Sequence, residues 1–158
     1  MTNKFFGRYN VKIDSGKRIM LPAQLREKIN ESSLFITQSP DNYCLWLFTP
    51  EKWEELIFQK IEENTNLFSG EDRSLRRQLI GDAYDVKMDE SGRILIEKIL
   101  CDLAGINKNC WVIGQLDYIE IWDAERYLQY QESGKTKEDI AAASMNISNR
   151  IKRDKGLD

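Results

Sequence analysis

Between Phe6 and Ile13 polar and apolar positions alternate, with Tyr9, Val11 and Ile13 on one face, the period-two pattern of a strand packed on one side. Asp14-Ser-Gly-Lys17 is turn chemistry, a short acceptor followed by a glycine able to take positive φ, and Arg18-Ile-Met-Leu21 returns as a second strand. Pro22 suits the first position of a short helix carrying Leu25 and Ile29 as an i, i+4 apolar pair. Residues 34–37 and 44–48 read as the next strand pair, joined by Ser39-Pro-Asp-Asn42. Thr49-Pro50 then starts a longer helix, in which Trp53, Leu56, Ile57 and Ile61 keep helical spacing. Ser69-Gly-Glu-Asp72 is a capping-box start for a bridging helix at about 69–80, with Leu75 and Leu79 inward.

The pattern is then repeated. Tyr9-Asn-Val-Lys-Ile-Asp14-Ser-Gly-Lys-Arg18-Ile19 returns as Tyr84-Asp-Val-Lys-Met-Asp89-Glu-Ser-Gly-Arg93-Ile94, offset by 75 residues. Strands at 84–88 and 93–96, a short helix near 97–104 closed by Gly105, strands at 110–113 and 118–122, and a helix capped by Asp123 complete the second copy. Two copies of this length are too few for a solenoid and predict a duplicated half-domain that closes on itself. The expected domain spans 1–132, with repeat one at about 5–63 and repeat two at about 84–132. Residues 133–158 form a C-terminal extension or tail. There Thr136-Lys-Glu-Asp139 is placed to cap one more helix, with Ile140, Ala143, Ile147 and Ile151 in a narrow stripe. Docking on a neighbouring subunit and a frayed end are both compatible with so thin a stripe.

Composition adds bounds. Hydrophobic content of 41% and charged content of 31% are those of a soluble globular chain, and no apolar run reaches a membrane span. The N-terminal residues lack a secretory apolar region. Cys44, Cys101 and Cys110, an odd number without short paired spacing, argue for a reducing, cytoplasmic compartment and against a zinc ribbon. Net charge is −3, yet residues 1–30 carry seven cations against Asp14 and Glu27, while residues 31–130 sum to −9. Local charge, not the whole-chain sum, sets the field at a binding face.

Each copy puts an Asp where the hairpin turn starts and an Arg four residues on. Across a tight turn the carboxylate can accept backbone N–H groups and hold the guanidinium in a bidentate pair. An arginine so held projects from a stiff two-stranded ribbon, a shape that fits the major groove, where arginine reads guanine O6 and N7. A salt bridge that only pins the turn is the other reading, and weighs more heavily for the second copy.

These residues resemble a known family. The string Tyr-x-x-x-Ile-Asp14-x-x-x-Arg18-x-x-Leu-Pro22-Ala-x-Leu-Arg26-Glu, the later Asp89-x-x-Gly92-Arg93-Ile-Leu-Ile with Leu103-Ala-Gly105, and Ile119-Glu-Ile-Trp122-Asp123 together resemble the MraZ family over about residues 4 to 130. The AbrB and MazE families share one such half but not the pairing. The resemblance implies an α+β, mainly β fold, a double-split β-barrel of two swapped-hairpin repeats with short helices capping the ends. It implies a cytoplasmic, nucleoid-associated transcription regulator that is not an enzyme. The expected partners are double-stranded DNA, as short G-rich direct repeats upstream of its own cell-division and cell-wall operon, and further copies of itself in a ring. No cofactor, metal, membrane or small-molecule substrate is expected. By the resemblance Arg18 inherits the reading role with Asp14 as orienter, Lys17, Lys12 and Arg8 are phosphate neighbours, and Arg93, Asp89 and Lys87 are their second-copy counterparts. Antitoxins share the fold, so an antitoxin-like or other protein-interaction module is the alternative.

Two departures bear on the site. The family's first turn commonly reads Lys-Gly-Arg, here Gly16-Lys17-Arg18, which is expected to move the positive-φ position and re-aim the tip. Glu97 stands where the family commonly has Pro. Asp82, Asp85, Asp89, Glu90 and Glu97 crowd the second copy with acid, which costs affinity beside phosphates. The first repeat is therefore expected to dominate DNA contact. No His is present, and neither a P-loop, a Gly-x-Ser-x-Gly nor a dinucleotide fingerprint occurs. The cysteines are expected to be core residues, and Trp46, Trp53, Trp111 and Trp122 core or interface rather than base-stacking residues.

Overall fold

The computed structural model describes residues 2–156. Its first half runs β1 (Arg8–Lys12), β2 (Arg18–Met20), α1 (Ala23–Arg26), β3 (Ser33–Gln38) and β4 (Leu45–Phe48). A continuous helical run follows: α2 (Pro50–Trp53), a π-helical turn (Glu54–Phe58) and α3 (Gln59–Asn64). The bridging helix is α4 (Gly70–Arg76), which widens into a second π turn (Arg77–Gly81). The second half runs β5 (Tyr84–Lys87), β6 (Arg93–Leu95), α5 (Lys98–Ala104), β7 (Asn109–Gly114), β8 (Ile119–Asp123), α6 (Ala124–Glu132) and α7 (Gly134–Asp154).

The strands obey a pseudo-twofold rule. The six-stranded antiparallel sheet has the order β1-β7-β8-β4-β3-β5, and exchanging each strand for its counterpart in the other repeat reverses that order unchanged. β1 pairs with β7 and β5 with β3, so each repeat lends its first strand to the other. β2 and β6 pair only with each other, in a separate two-stranded ribbon. Their middle pair is Ile19 opposite Ile94, the same residue of the repeat meeting itself at the pseudo-dyad. The architecture is thus α+β with mainly antiparallel strands, in agreement with the class that the resemblance implies.

The core is duplicated as the chain is. Ile19 and Ile94, Leu21 and Ile96, Leu25 and Leu100, Leu34 and Cys110, and Ile36 and Val112 are all buried in one cluster. On the other face of the sheet Phe35 stacks on Trp53 (ring centroids 5.2 Å apart), and Phe48 and Ile57 join them beneath the helical run. All three cysteines are free and buried, and burial pushes their thiols up, Cys110 to about 12. Trp53 and Trp122 are buried and Trp46 and Trp111 half-buried, as their placement on the elements foretold.

Capping follows the sequence closely, with two adjustments, at Pro22 and at the start of α7. Thr49 Oγ1 accepts the Lys52 N–H and Ser69 Oγ the Asp72 N–H. Pro22 caps α1 from outside rather than occupying its first position, and Glu97 caps α5 with the same backbone (φ −54, ψ 142 against φ −56, ψ 140). A glutamate in place of a proline therefore costs no geometry here. Asp123 ends β8 directly before α6, and its carboxylate accepts the Asn107 N–H. The cap of α7 is Ser133, not Thr136, so that helix starts at Gly134. By contact the chain divides into one unit through Ala124 and another from Glu125 onward, the latter made of α6 and α7. Ile140, Ile147 and Ile151 of α7 are exposed.

Candidate nucleic-acid interface

Both hairpin turns are built alike. Asp14 N–H donates to Arg18 O and Lys17 N–H to Asp14 O; Asp89 N–H donates to Arg93 O and Gly92 N–H to Asp89 O. This is a three-residue loop, a tight turn followed by one left-handed residue. The loop type fixes which position takes positive φ, whatever residue stands there. In the second copy it is Gly92 (φ 87). In the first it is Lys17 (φ 63), not Gly16, so the expectation that the shifted glycine moves the positive-φ position is overturned. The glycine supplies room instead: a Cβ on Gly16 would lie 3.0 Å from Arg18 Nη1.

The two Asp-x-x-x-Arg motifs differ in what they hold. Asp14 Oδ1 accepts the Arg18 backbone N–H at 2.8 Å, and among the described residues no carboxylate forms an ion pair with the Arg18 guanidinium. The orienting is done through the backbone, and the expected bidentate pair is not formed. Asp89 Oδ1 accepts the N–H groups of Ser91 and Arg93, and Oδ2 accepts Arg93 Nε at 3.0 Å, a single contact. Those donors, the Arg93 backbone N–H first, hold the Asp89 carboxyl below its usual range. A depressed acid stabilises the fold fully above the unfolded value and loses that contribution as pH falls through the folded one. A carbon-detected NMR titration should therefore show Asp89 protonating below an ordinary aspartate, with Arg93 Nε shifting in the same range.

Both tips are tied to the ribbon across the pseudo-dyad. Ile96 N–H donates to Lys17 O, and Leu21 N–H to Gly92 O, each at a tip's left-handed residue. On the ribbon Ile19 and Ile94 point inward, while Arg18, Met20, Arg93 and Leu95 are exposed. Arg18 and Arg93 thus share one face with an apolar residue beside each. A cleft of about 450 Å³ is lined there by Arg18, Lys87, Asp89, Arg93, Asp85 and Glu97, among others. Arg18 is brought together with Lys87, Asp89 and Arg93. Lys12 is exposed near the start of its turn, at the end of β1. Arg8 lies at the far end of that strand, about 20 Å from the tip at ~3.3 Å per residue, and its guanidinium stacks over Trp111 at 4.2 Å.

Charge separates the copies. At the 75-residue offset, Asn10 answers Asp85, Ser15 answers Glu90 and Pro22 answers Glu97. The added carboxylates belong to the second repeat, and Asp85 and Glu97 line the cleft that Arg18 and Arg93 share.

Arg26 is a residue to which the sequence motif gave no role. From α1 of the first repeat its Nη1 donates to Ser91 O at 2.6 Å, clasping the second tip. A Cβ on Gly92 would lie 2.2 Å from Arg26 Cδ and Nη1. The counterpart of Arg26 is Cys101, which is buried and bonds Ile96 O instead, so the first tip has no such clasp. The exchange of a long cation for a small thiol at equivalent positions was the signal available in the sequence. Gly92→Ala should lower stability by about 1–3 kcal/mol in urea melts, through left-handed strain and loss of the Arg26 contact. Gly16→Ala, met closely by the flexible end of Arg18 and at ordinary contact by Asp14 Oδ1, should stay within about 0.5 kcal/mol of the parent.

No helix is long and apolar enough to cross a membrane, and no metal-holding group of side chains occurs among the described residues. The model of the family described as "MraZ protein, putative antitoxin-like" matches the chain twice, at residues 5–78 and 79–150. The chain is 36% identical over 124 residues to the transcriptional regulator MraZ of Treponema denticola, covering 78% of this chain and 85% of that one. It is 33% identical to the transcriptional regulator MraZ of Mesoplasma florum over 87% of this chain and 92% of that one. The corresponding regulator of Clostridium tetani is 34% identical over 87% and 94%.

Proposed function

The chain belongs to the MraZ family, and from that premise we propose that it is a cytoplasmic, nucleoid-associated DNA-binding transcriptional regulator, and not an enzyme. The names of its relatives carry the general reading. The finer one is that the protein represses its own cell-division operon by reading short G-rich direct repeats with its hairpins, displayed on a ring of identical subunits. The working unit is the pseudo-twofold domain of residues 1–132, with 133–158 as an extension.

One observation carries the assignment of the reader: the Arg18 guanidinium stands exposed on a braced ribbon, with its five donors not engaged by any carboxylate among the described residues. Lys17 and Lys12 flank it as phosphate contacts that fix register without reading sequence. Arg8, stacked on Trp111 about 20 Å along the strand, reaches a phosphate only further along the duplex. Met20 and Leu95 offer apolar surface to thymine methyls. Arg93 is occupied by Asp89, so the second hairpin chiefly braces the first.

A ring explains how so few cations suffice. One hairpin with a few phosphate contacts binds weakly and with strong salt dependence. Several on one rigid body facing direct repeats gain about 10²–10⁴-fold by avidity.

The test is fluorescence anisotropy on a duplex from immediately upstream of the protein's own gene. The regulator reading expects binding well above a scrambled duplex at moderate salt; equal binding to both sinks it. The wording of the family description favours a second reading, an antitoxin-like module whose C-terminal segment wraps a toxin. Co-purification with a small neighbour-encoded protein would support that reading, and a homo-oligomer with no second chain would oppose it.

A further inference from the structure

Two exposed apolar features lie outside the ribbon, and each sits on backbone held by hydrogen bonds. The first is the connection from α3 to α4. Phe68 is 88% exposed and Leu67 60% exposed. Yet Phe68 N–H donates to Asn66 Oδ1, Asn66 N–H to Asp72 Oδ2, Ser69 N–H to Asn66 O, and Arg73 Nη1 to Leu67 O. A phenylalanine presented to water from a turn held by four hydrogen bonds has the character of an anchor, because aromatic side chains on a rigid backbone suit binding hot spots.

The second is a cleft of about 340 Å³ floored by Phe5 and edged by Leu116, which is 61% exposed. Leu116 sits at φ 68, a conformation that strains a branched side chain. It is pinned there by reciprocal bonds with Phe5, N–H to O at 2.9 and 2.8 Å. The cations of the cleft are engaged: Lys4 and Lys52 pair with Asp117, and Lys28 Nζ donates to Lys4 O. Its carboxylates Glu31 and Glu51 form no ion pair among the described residues. On the knob side Arg73 likewise meets no carboxylate among them.

Knob and cleft stand at opposite ends of one helical run. Thr49, Glu51 and Lys52 at its start line the cleft, and the knob follows the last residue of α3. The run is about 22 Å long at ~1.5 Å per residue, so one chain cannot fill its own cleft with its own knob. Two different complementary patches set apart on one rigid body are the requirement for head-to-tail assembly, which gives a ring where the rotation closes.

We propose that Phe68, with Leu67, inserts into the Phe5–Leu116 cleft of a second copy of this chain, with Arg73 meeting Glu31 and Glu51. This rests on the ring assembly proposed above and names its contact. The occupant is another copy because one chain carries both halves, with apolar surface facing apolar surface and unpaired cation facing unpaired carboxylates.

The test uses the full-length protein in sedimentation velocity with three samples. Phe68→Glu loses the knob and keeps the cleft. Leu116→Asp loses the cleft edge and keeps the knob, with a residue that tolerates positive φ better than leucine does. Each alone should self-associate about thirtyfold more weakly, the size of a hot-spot loss. Circular dichroism should be unchanged, since both positions are exposed. Mixed one to one, they should form a heterodimer and stop there, because only one knob and one cleft remain. A wild-type oligomer whose state neither variant disturbs, or a mixture that stays monomeric, overturns the contact and leaves the ring standing. A monomeric wild type overturns both.

Discussion

Arg18→Ala should remove most specific binding to the upstream duplex, while Arg93→Ala should leave most of it. A bidentate arginine–guanine pair contributes about 1–3 kcal/mol of discrimination. At tenfold per 1.4 kcal/mol this is about 5- to 150-fold per hairpin. On an array the loss repeats at every engaged hairpin, so the drop in apparent affinity should exceed the single-site figure. Arg93 begins from another state. Its Nε is already given to Asp89, so presenting it to a base means breaking a made contact, whereas Arg18 has no ion pair to break among the described residues. Its removal should change binding by about 0.5 kcal/mol or less. Lys17→Ala separates the two kinds of contact. It should weaken specific and scrambled duplexes alike and reduce the slope of log affinity against log salt by about 0.9, whereas Arg18→Ala should chiefly lower the ratio between the two duplexes. Anisotropy titrations at three salt concentrations check all of this.

The second large effect concerns the fold. Ile19→Ala and Ile94→Ala should each lower stability by about 2–5 kcal/mol, the cost of emptying a buried isoleucine site. Both residues are 1% exposed and face one another in the middle of the ribbon. Against a typical total of about 5–15 kcal/mol, either loss is large. The two vacated volumes adjoin, so the double variant should depart from the sum by about 0.5–3 kcal/mol. Met20→Ala and Leu95→Ala, one residue along on the exposed face, should change stability by about 0.5 kcal/mol or less. Urea denaturation of the five variants measures the difference. Equal costs at buried and exposed positions would mean that the ribbon does not close the core at the pseudo-dyad.

Much of this was legible in the chain because duplication carries its own register. The match of Tyr9 with Tyr84, Asp14 with Asp89 and Ile19 with Ile94 fixed which residues are equivalent, and alternation placed Tyr9, Val11 and Ile13 on one face. The exchange of β1 and β5 between repeats was not readable from pattern. Alternation says which face of a strand is buried and is silent on which neighbour it pairs with, so that expectation came from the resemblance. The turn misled because glycine was taken as the marker of positive φ. The three-residue loop sets that position by its hydrogen bonds, and Lys17 takes it although Gly16 is adjacent. Of the two holds expected of Asp14, on backbone N–H groups and on the guanidinium, the structure forms the first. Arg26 was hidden because its partner, Ser91, lies 65 residues away in the other repeat. Thr136 fits the pattern of a cap for α7, but the hydrogen bonds put the cap three residues earlier, at Ser133.

The most direct test of the central claim, that Arg18 reads guanine from the first hairpin, pairs the protein variant with a change in the base. The upstream duplex that binds the wild type is made with 7-deazaguanine in each G-rich box, which removes N7 and keeps the Watson–Crick edge. Anisotropy then compares wild type and Arg18→Ala on both duplexes. The account predicts that the wild type loses most of its preference on the modified duplex, while Arg18→Ala binds the two alike. Equal binding of the wild type to both duplexes, or an undiminished N7 effect in Arg18→Ala, would contradict it.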